Sequence, residues 1–257
     1  MDIIEIEPIV FLYFLILLAP IFLLNRYFGI RKNGKMVIAI GRMAVQLILV
    51  GLFLQFLFDL NSVWVNLAYI LMMMFVATVS AIRTTKIRFK KYILPMALAF
   101  VVPNFIVMLF FNFLILRLPD VFDARYVIAV QGMILGNSLK GIVIGMGQFY
   151  SGIREDEKRY FQMLSISCSR RETLKTYYRK AVLSTLNPLI ATIETTGLVA
   201  LPGMMTGQIL GGVDPISAIK YQIAILLCIL AARYLSVLSA LWMTSFKAFN
   251  EYDVLEL

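Results

Sequence analysis

Residues Asn187 to Pro215 read NPLIATIETTGLVALPGMMTGQILGGVDP, and the reading of this stretch decides the rest. It opens as an apolar helix with Glu194 in its middle, breaks at Pro202-Gly203, and continues through Met204-Met205-Thr206-Gly207-Gln208 to Gly211-Gly212. In a bilayer, backbone freed from a helix survives only where protein buries it or a polar cavity faces it. A charged side chain at that depth marks a functional site by default. The stretch is therefore expected to line a translocation path with Asn187, Glu194, Met204, Met205, Thr206 and Gln208, and to bend at a hinge of Pro202, Gly203 and Gly207.

Composition agrees with a membrane setting. The chain is 61% hydrophobic and only 15% charged, whereas soluble domains carry about 25% charged residues. Its apolar residues lie in long runs, so an all-α, polytopic membrane protein is expected, with one transmembrane domain over residues 1–257 and no appended soluble domain. The net charge of +9 comes from short basic clusters between the runs, which argues for membrane topology and against nucleic acid as a partner. Histidine is absent and the two cysteines, Cys168 and Cys228, lie far apart, which excludes a disulfide framework and a His/Cys metal site. Asp2, Glu5 and Glu7 precede the first apolar run where a signal peptide would carry basic residues.

Seven spans are read, at 8–24, 37–58, 63–82, 93–116, 126–149, 182–210 and 216–246, the sixth being the broken one. Each is near the ~20 residues that cross a hydrocarbon core. Lys and Arg cluster after spans one, three and five, and the alternate loops are poor in them. The positive-inside rule then puts the N-terminus outside and Glu251–Leu257 in the cytoplasm.

Several spans carry polar residues. Arg42 and Gln46 lie one turn apart in span two, facing the bundle or snorkelling to headgroups. Pro95 and Pro103 predict kinks in span four, beside Asn104 and Asn112. In span five, Gly132 with Gly136 and Gly141 with Gly145 are small-xxx-small pairs suited to close helix packing. Gln131 and Ser138 share one face of that span with Asn137 beside them, Lys140 lies ~12 Å inside its cytoplasmic end, and Asn137, Ser138 and Lys140 are expected on the translocation path. Gln222 and Arg233 are the polar residues expected inside span seven. Glu194 lies ~18 Å above the cytoplasmic start of span six, so an ion pair between Lys140 and Glu194 is expected, with Arg233 as the competing partner.

Gly152 to Lys180 is the long polar segment, read as helix, turn, helix at the cytoplasmic surface. Ser169 with Glu172 fits a capping box for its second helix. The sequence contains no Gly-x-x-x-x-Gly-Lys-[Ser/Thr] loop, no His-Glu-x-x-His and no Gly-x-Ser-x-Gly. ATP binding in the P-loop manner and the common hydrolase chemistries are thus not expected of this chain.

The run Leu201 to Gly212, with Pro215 and Gln222, resembles the signature of the FetB-like ABC-transporter permeases. Gly132-Met133-Ile134-Leu135-Gly136-Asn137-Ser138 is similar to the family's second motif, and Arg42 with Gln46 and Gly51 to its third. The resemblance spans about residues 37 to 230. It implies a permease subunit, a metal cargo with iron first, and a homodimer in a cell membrane. It also implies a separate ATP-binding cassette ATPase that holds the ATP-Mg, with no cofactor on this chain. The segment 152–180 resembles the coupling loop that docks on the ATPase. The docking set would be Glu157, Phe161, Leu164, Ser167, Cys168, Arg170 and Arg171, although the loop's usual glutamate and glycine are replaced by Phe161 and Ser167. Lys140 and Glu194 also stand where the family usually has uncharged residues. Export of a lipid or other amphiphile, an ATP-independent channel or secondary transporter, and an intramembrane enzyme are the alternatives.

Overall fold

The computed structural model describes residues 8–85, 87–167 and 169–256. Cys168, Lys86 and the carboxylates of Asp2, Glu5 and Glu7 lie outside the described residues, as does the part each was expected to play. The described residues form helices α1 (Phe14–Tyr27), α2 (Asn33–Leu60), α3 (Val63–Thr85), α4 (Phe89–Phe110), α5 (Ala124–Glu155), α6 (Glu157–Ser167), α7 (Arg170–Thr195), α8 (Gly203–Leu210) and α9 (Pro215–Ala248). A 3-10 turn, Pro8–Tyr13, leads into α1, and a π-turn, Phe111–Ile115, ends α4. No strand occurs among the described residues, only the isolated bridges Thr196–Ala200 and Phe249–Leu255. The chain is a multi-pass, all-α membrane protein: among the described residues five helices, α2, α3, α4 with its π-turn, α5 and α9, are long and apolar enough to cross a membrane.

The chain divides into two compact units, one running to Leu60 with Leu210–Gly212, the other holding Asn61–Ile209 and Val213–Leu257. In the first, a turn through Gly29 at φ +67° reverses the chain, and Asn25 Nδ2 donates to Asn33 Oδ1 at 2.8 Å to lock α1 to α2. Helix α2 is apolar all round, so no face of it is marked for burial. Arg42 and Gln46, expected either to face the bundle or to snorkel to headgroups, are exposed.

In the second unit α5 and α9 are the central pair, with α3, α4 and α7 packed on them. The approach of α9 to α5 depends on Gly141 and Gly145. A Cβ on Gly141 would meet Arg233 Cγ at 2.6 Å and Val237 Cγ2 at 3.1 Å; one on Gly145 would meet Val237 Cγ1 at 3.0 Å and Thr185 Cγ2 at 3.1 Å. Val237 is thus a knob seated between the two glycines, while Thr185 brings α7 to the same groove. Small residues permit this closeness where no hydrophobic force drives helices together in lipid.

The sixth span departs from its reading. Helix α7 runs unbroken from the polar segment through Pro188 to Thr195, so the second surface helix and the span are one helix. The expected capping box is not formed: Ser169 is the N-cap, but its side chain makes no cap bond. The Ser167 and Thr173 hydroxyls bond each other at 2.9 Å across the junction instead. The break occupies 196–202, upstream of the expected hinge. Gly197 turns the chain at φ +88°, and Thr195 O accepts the amides of Val199 at 3.0 Å and Ala200 at 3.3 Å. Gly203 and Gly207 are helical, inside α8. The physical reason is that proline without an N–H suits the start of a helix, and it drives its predecessor to an extended conformation. Pro202 therefore starts α8 where the sequence reading had it break a helix.

Candidate functional site

At mid-depth the second unit holds a closed polar network. Ser138 Oγ on α5 donates to Asn104 Oδ1 on α4 at 2.9 Å, and Asn104 Nδ2 donates to Ser236 Oγ on α9 at 3.0 Å and to Phe100 O at 2.7 Å. All three side chains are fully buried. Ser138, placed on the path by sequence, is thus a strut between three helices. Asn137 is half-buried, and its amide donates to Met133 O of its own helix at 2.9 Å.

Nearer the α8 end the polar atoms are not paired. Both amide atoms of Gln131, the Oε1 of Gln208 and the Oε1 of Gln222 are buried without a hydrogen-bond partner. Val130 and Ile134, near Gln131 in sequence, and Ile225, near Gln222, belong to one apolar cluster against which Met204 of α8 packs. An unpaired buried amide costs about 1–3 kcal/mol. Thr206 Oγ1 is spent on Pro202 O at 3.2 Å, and Met205 is buried.

Arg233 is buried on α9, its side chain lying over Gly141 and its Nε without a partner. Among the described residues the two ion pairs are Arg159–Asp156 and Arg170–Asp253, so neither Lys140 nor Arg233 pairs with Glu194. Lys140, Glu194 and Asn187 are exposed. Helical geometry explains this. Helix α7 meets α5 through Ala181 and Thr185. Nine residues on from Thr185, at about 100° per residue, Glu194 points roughly opposite. Lys140 is about 100° around α5 from Gly141. Depth was the basis of the expected pair, and azimuth defeats it.

At the basic end the polar segment is clamped by the C-terminal tail. Arg170 meets Asp253 Oδ1 at 2.8 Å, and its guanidinium lies 5.7 Å from the Phe249 ring centroid. Tyr160 stacks on Phe249 at 5.9 Å and donates to Asp253 O at 3.0 Å. Burial, together with the nearby Asp253 carboxylate, pushes the Tyr160 hydroxyl up to about 12, so it remains a donor. Tyr92 at the start of α4 donates to Glu256 O at 3.3 Å. Tyr160 is the buried residue of α6; Phe161 and Leu164 are half-covered, and Ile166 is 85% exposed. Sequence reasoning missed the tail, Gly197 and Ile166. The alternation of Asp253 and Phe249 with the α6 aromatics gives no local signal of a clamp.

The sequence profile described as "Uncharacterised protein family (UPF0014)" matches residues 8–249. The chain belongs to the UPF0014 family. It is 29% identical over 239 residues to "UPF0014 membrane protein slr1647" of Synechocystis, covering 93% of this chain and 92% of that one. It is 29% identical over 212 residues to "Probable iron export permease protein FetB" of Escherichia coli, covering 82% and 80%. It is 27% identical over 212 residues to "Protein ALUMINUM SENSITIVE 3" of Arabidopsis thaliana, covering 82% and 76%. The resemblance to FetB-like permeases read from Leu201 to Gly212 is borne out by these UPF0014 relatives. No solved structure matches the chain.

Proposed function

We propose that this UPF0014 chain is the membrane subunit of an ABC exporter in a cell membrane, driven by a separate ATPase, with a metal ion, iron first, as its cargo. The α6–α7 platform carries this reading. It offers Ile166 at 85% exposure together with Phe161 and Leu164 on α6, which Tyr160, with Arg170 of α7 beside it, fixes to the C-terminal tail. A rigidly mounted helix with bare apolar residues suits docking of a partner that must push on the bundle. Glu157 and Ser167 bound the surface, and Cys168 lies between the two helices in sequence. ATP-Mg would sit on the partner, consistent with the missing P-loop here. Two permease copies would assemble, since one chain supplies one such platform.

The path would run along the break at 196–202 and the unpaired amides of Gln131, Gln208 and Gln222. Among the described residues no three His, Cys, Asp or Glu side chains gather to hold a metal. The cargo is then handled by neutral amides and carbonyls during passage. The apolar packing of Met204 and the burial of Met205 favour a structural role for both methionines.

The test is ATP-dependent accumulation of radioactive iron in inverted membrane vesicles, with permease alone, with a candidate ABC ATPase alone, and with both. Accumulation only with both and ATP supports the reading. Flux through the permease alone, without ATP, would replace it with a channel or secondary transporter.

A further inference from the structure

Between α7 and α9, at the basic end, lies a cavity of about 1000 Å³, whose wall includes Arg170 and Arg171 of the expected docking set and whose apolar side has no part in that docking. One wall is cationic. Arg171 and Lys175, four apart and hence on one face of α7, line it with exposed side chains. Arg170 also borders the cavity but is held by Asp253. The opposing charge in the lining is the single carboxylate of Glu172. Among the described residues no ion pair engages Arg171 or Lys175.

The other wall is apolar. Leu238, Trp242 and Phe246, spaced by four along α9, form a stripe into the cavity. Trp242 and Phe246 are each 60% exposed and meet edge to face at 5.0 Å. The floor is firm: Tyr178 Oη donates to Ser245 Oγ at 2.7 Å and to Leu241 O at 3.3 Å, holding the two helices together.

We propose that this cavity binds an anionic phospholipid from the leaflet at the basic end, its phosphate between Arg171 and Lys175 and its acyl chains along Leu238, Trp242 and Phe246. Two observations favour a lipid over a protein segment. The apolar stripe lies on a helix that crosses the membrane, and Trp242 lies about 9 Å from the end of α9, the level at which amphipathic aromatic rings meet headgroups. The cations stand on the polar side of that level, in the arrangement by which basic pockets between spans take anionic headgroups. A soluble partner would find the cations but would leave the membrane-level stripe uncovered.

The experiment uses the full chain purified in detergent and returned to nanodiscs of phosphatidylcholine alone or with phosphatidylglycerol. Bound phosphatidylglycerol is counted by native mass spectrometry and the melting temperature is read in both lipids. Wild type should retain phosphatidylglycerol in preference to phosphatidylcholine and melt several degrees higher with it. Arg171→Gln with Lys175→Gln should lose about tenfold or more of that preference and melt as wild type does in phosphatidylcholine. Arg179→Gln with Lys180→Gln, the same charge change outside the cavity lining, should keep it. Should the double variant fail to fold, Lys175→Gln alone must show a partial loss. Equal retention of the two lipids, or an unchanged preference in the Arg171/Lys175 variant, overturns the proposal. So does the failure of a photoactivatable phosphatidylglycerol to label the cavity of the wild-type chain.

Discussion

Gly141 with Gly145 on α5 and Gly203 with Gly207 on α8 share one spacing and differ in every neighbour. A Cβ on either of the first pair would strike Arg233, Val237 or Thr185, whereas nothing lies within 4 Å of a Cβ on either of the second. The first pair is a groove already filled by α9 and α7. The second faces open space in the single chain, and Gly136 on α5 is equally open. Identical small-xxx-small patterns therefore mark a used contact in one place and a free face in another. A free face of this kind suits a second permease copy under the proposed assembly.

The sharpest way to break that comparison is substitution of the first pair. Gly141→Ala must displace the Arg233 side chain or α9 and should cost about 1–3 kcal/mol, read as a drop in melting temperature in detergent. Gly203→Ala and Gly207→Ala should leave melting unchanged or raise it slightly, since alanine favours a helix over glycine by up to about 1 kcal/mol. If Gly203→Ala destabilises the purified single chain as much as Gly141→Ala does, the two pairs do not differ as described.

The buried network should give an effect of comparable or slightly smaller size. Asn104→Leu leaves the Ser138 and Ser236 hydroxyls without their partner and should cost about 1–3 kcal/mol. Replacing both serines with alanine beside Asn104→Leu should recover part of the loss, because no polar group is then stranded. Gly197→Ala should cost about 1–2 kcal/mol, the penalty for a side chain in the left-handed region. The smallest effect is expected at the basic end. Arg170 and Asp253 have side chains 38% and 30% exposed, so Asp253→Asn should cost no more than about 1 kcal/mol. Its clearer signature would be faster proteolysis of the tail after Phe249.

Element type and membrane class were legible because they rest on long apolar runs, and α2, α3, α4, α5 and α9 follow those runs closely. The packing role of Gly141 and Gly145 was legible from spacing alone, but the emptiness around Gly203 and Gly207 was not, since spacing carries no information about what lies opposite. The break near Pro202 was legible in existence and misplaced by several residues, because the same proline that cannot sit inside a helix is well suited to start one. The Lys140–Glu194 pair failed for a related reason. Rise along the helix can be counted from sequence, whereas the azimuth of α7 against α5 is set by Ala181, Thr185 and the glycine groove. The clamp of Tyr160 and Arg170 on Asp253 joins residues 93 and 83 positions apart and leaves no trace in either local pattern.

Under the proposed function, the bend that works in transport is Gly197, in the 196–202 turn, and not Gly203 or Gly207. The most direct measurement is ATP-dependent iron accumulation in inverted vesicles containing the ATPase, comparing Gly197→Ala with Gly203→Ala at matched membrane levels. Gly197→Ala should lose most transport, and Gly203→Ala should transport as wild type does. Wild-type transport by Gly197→Ala together with loss in Gly203→Ala would contradict it.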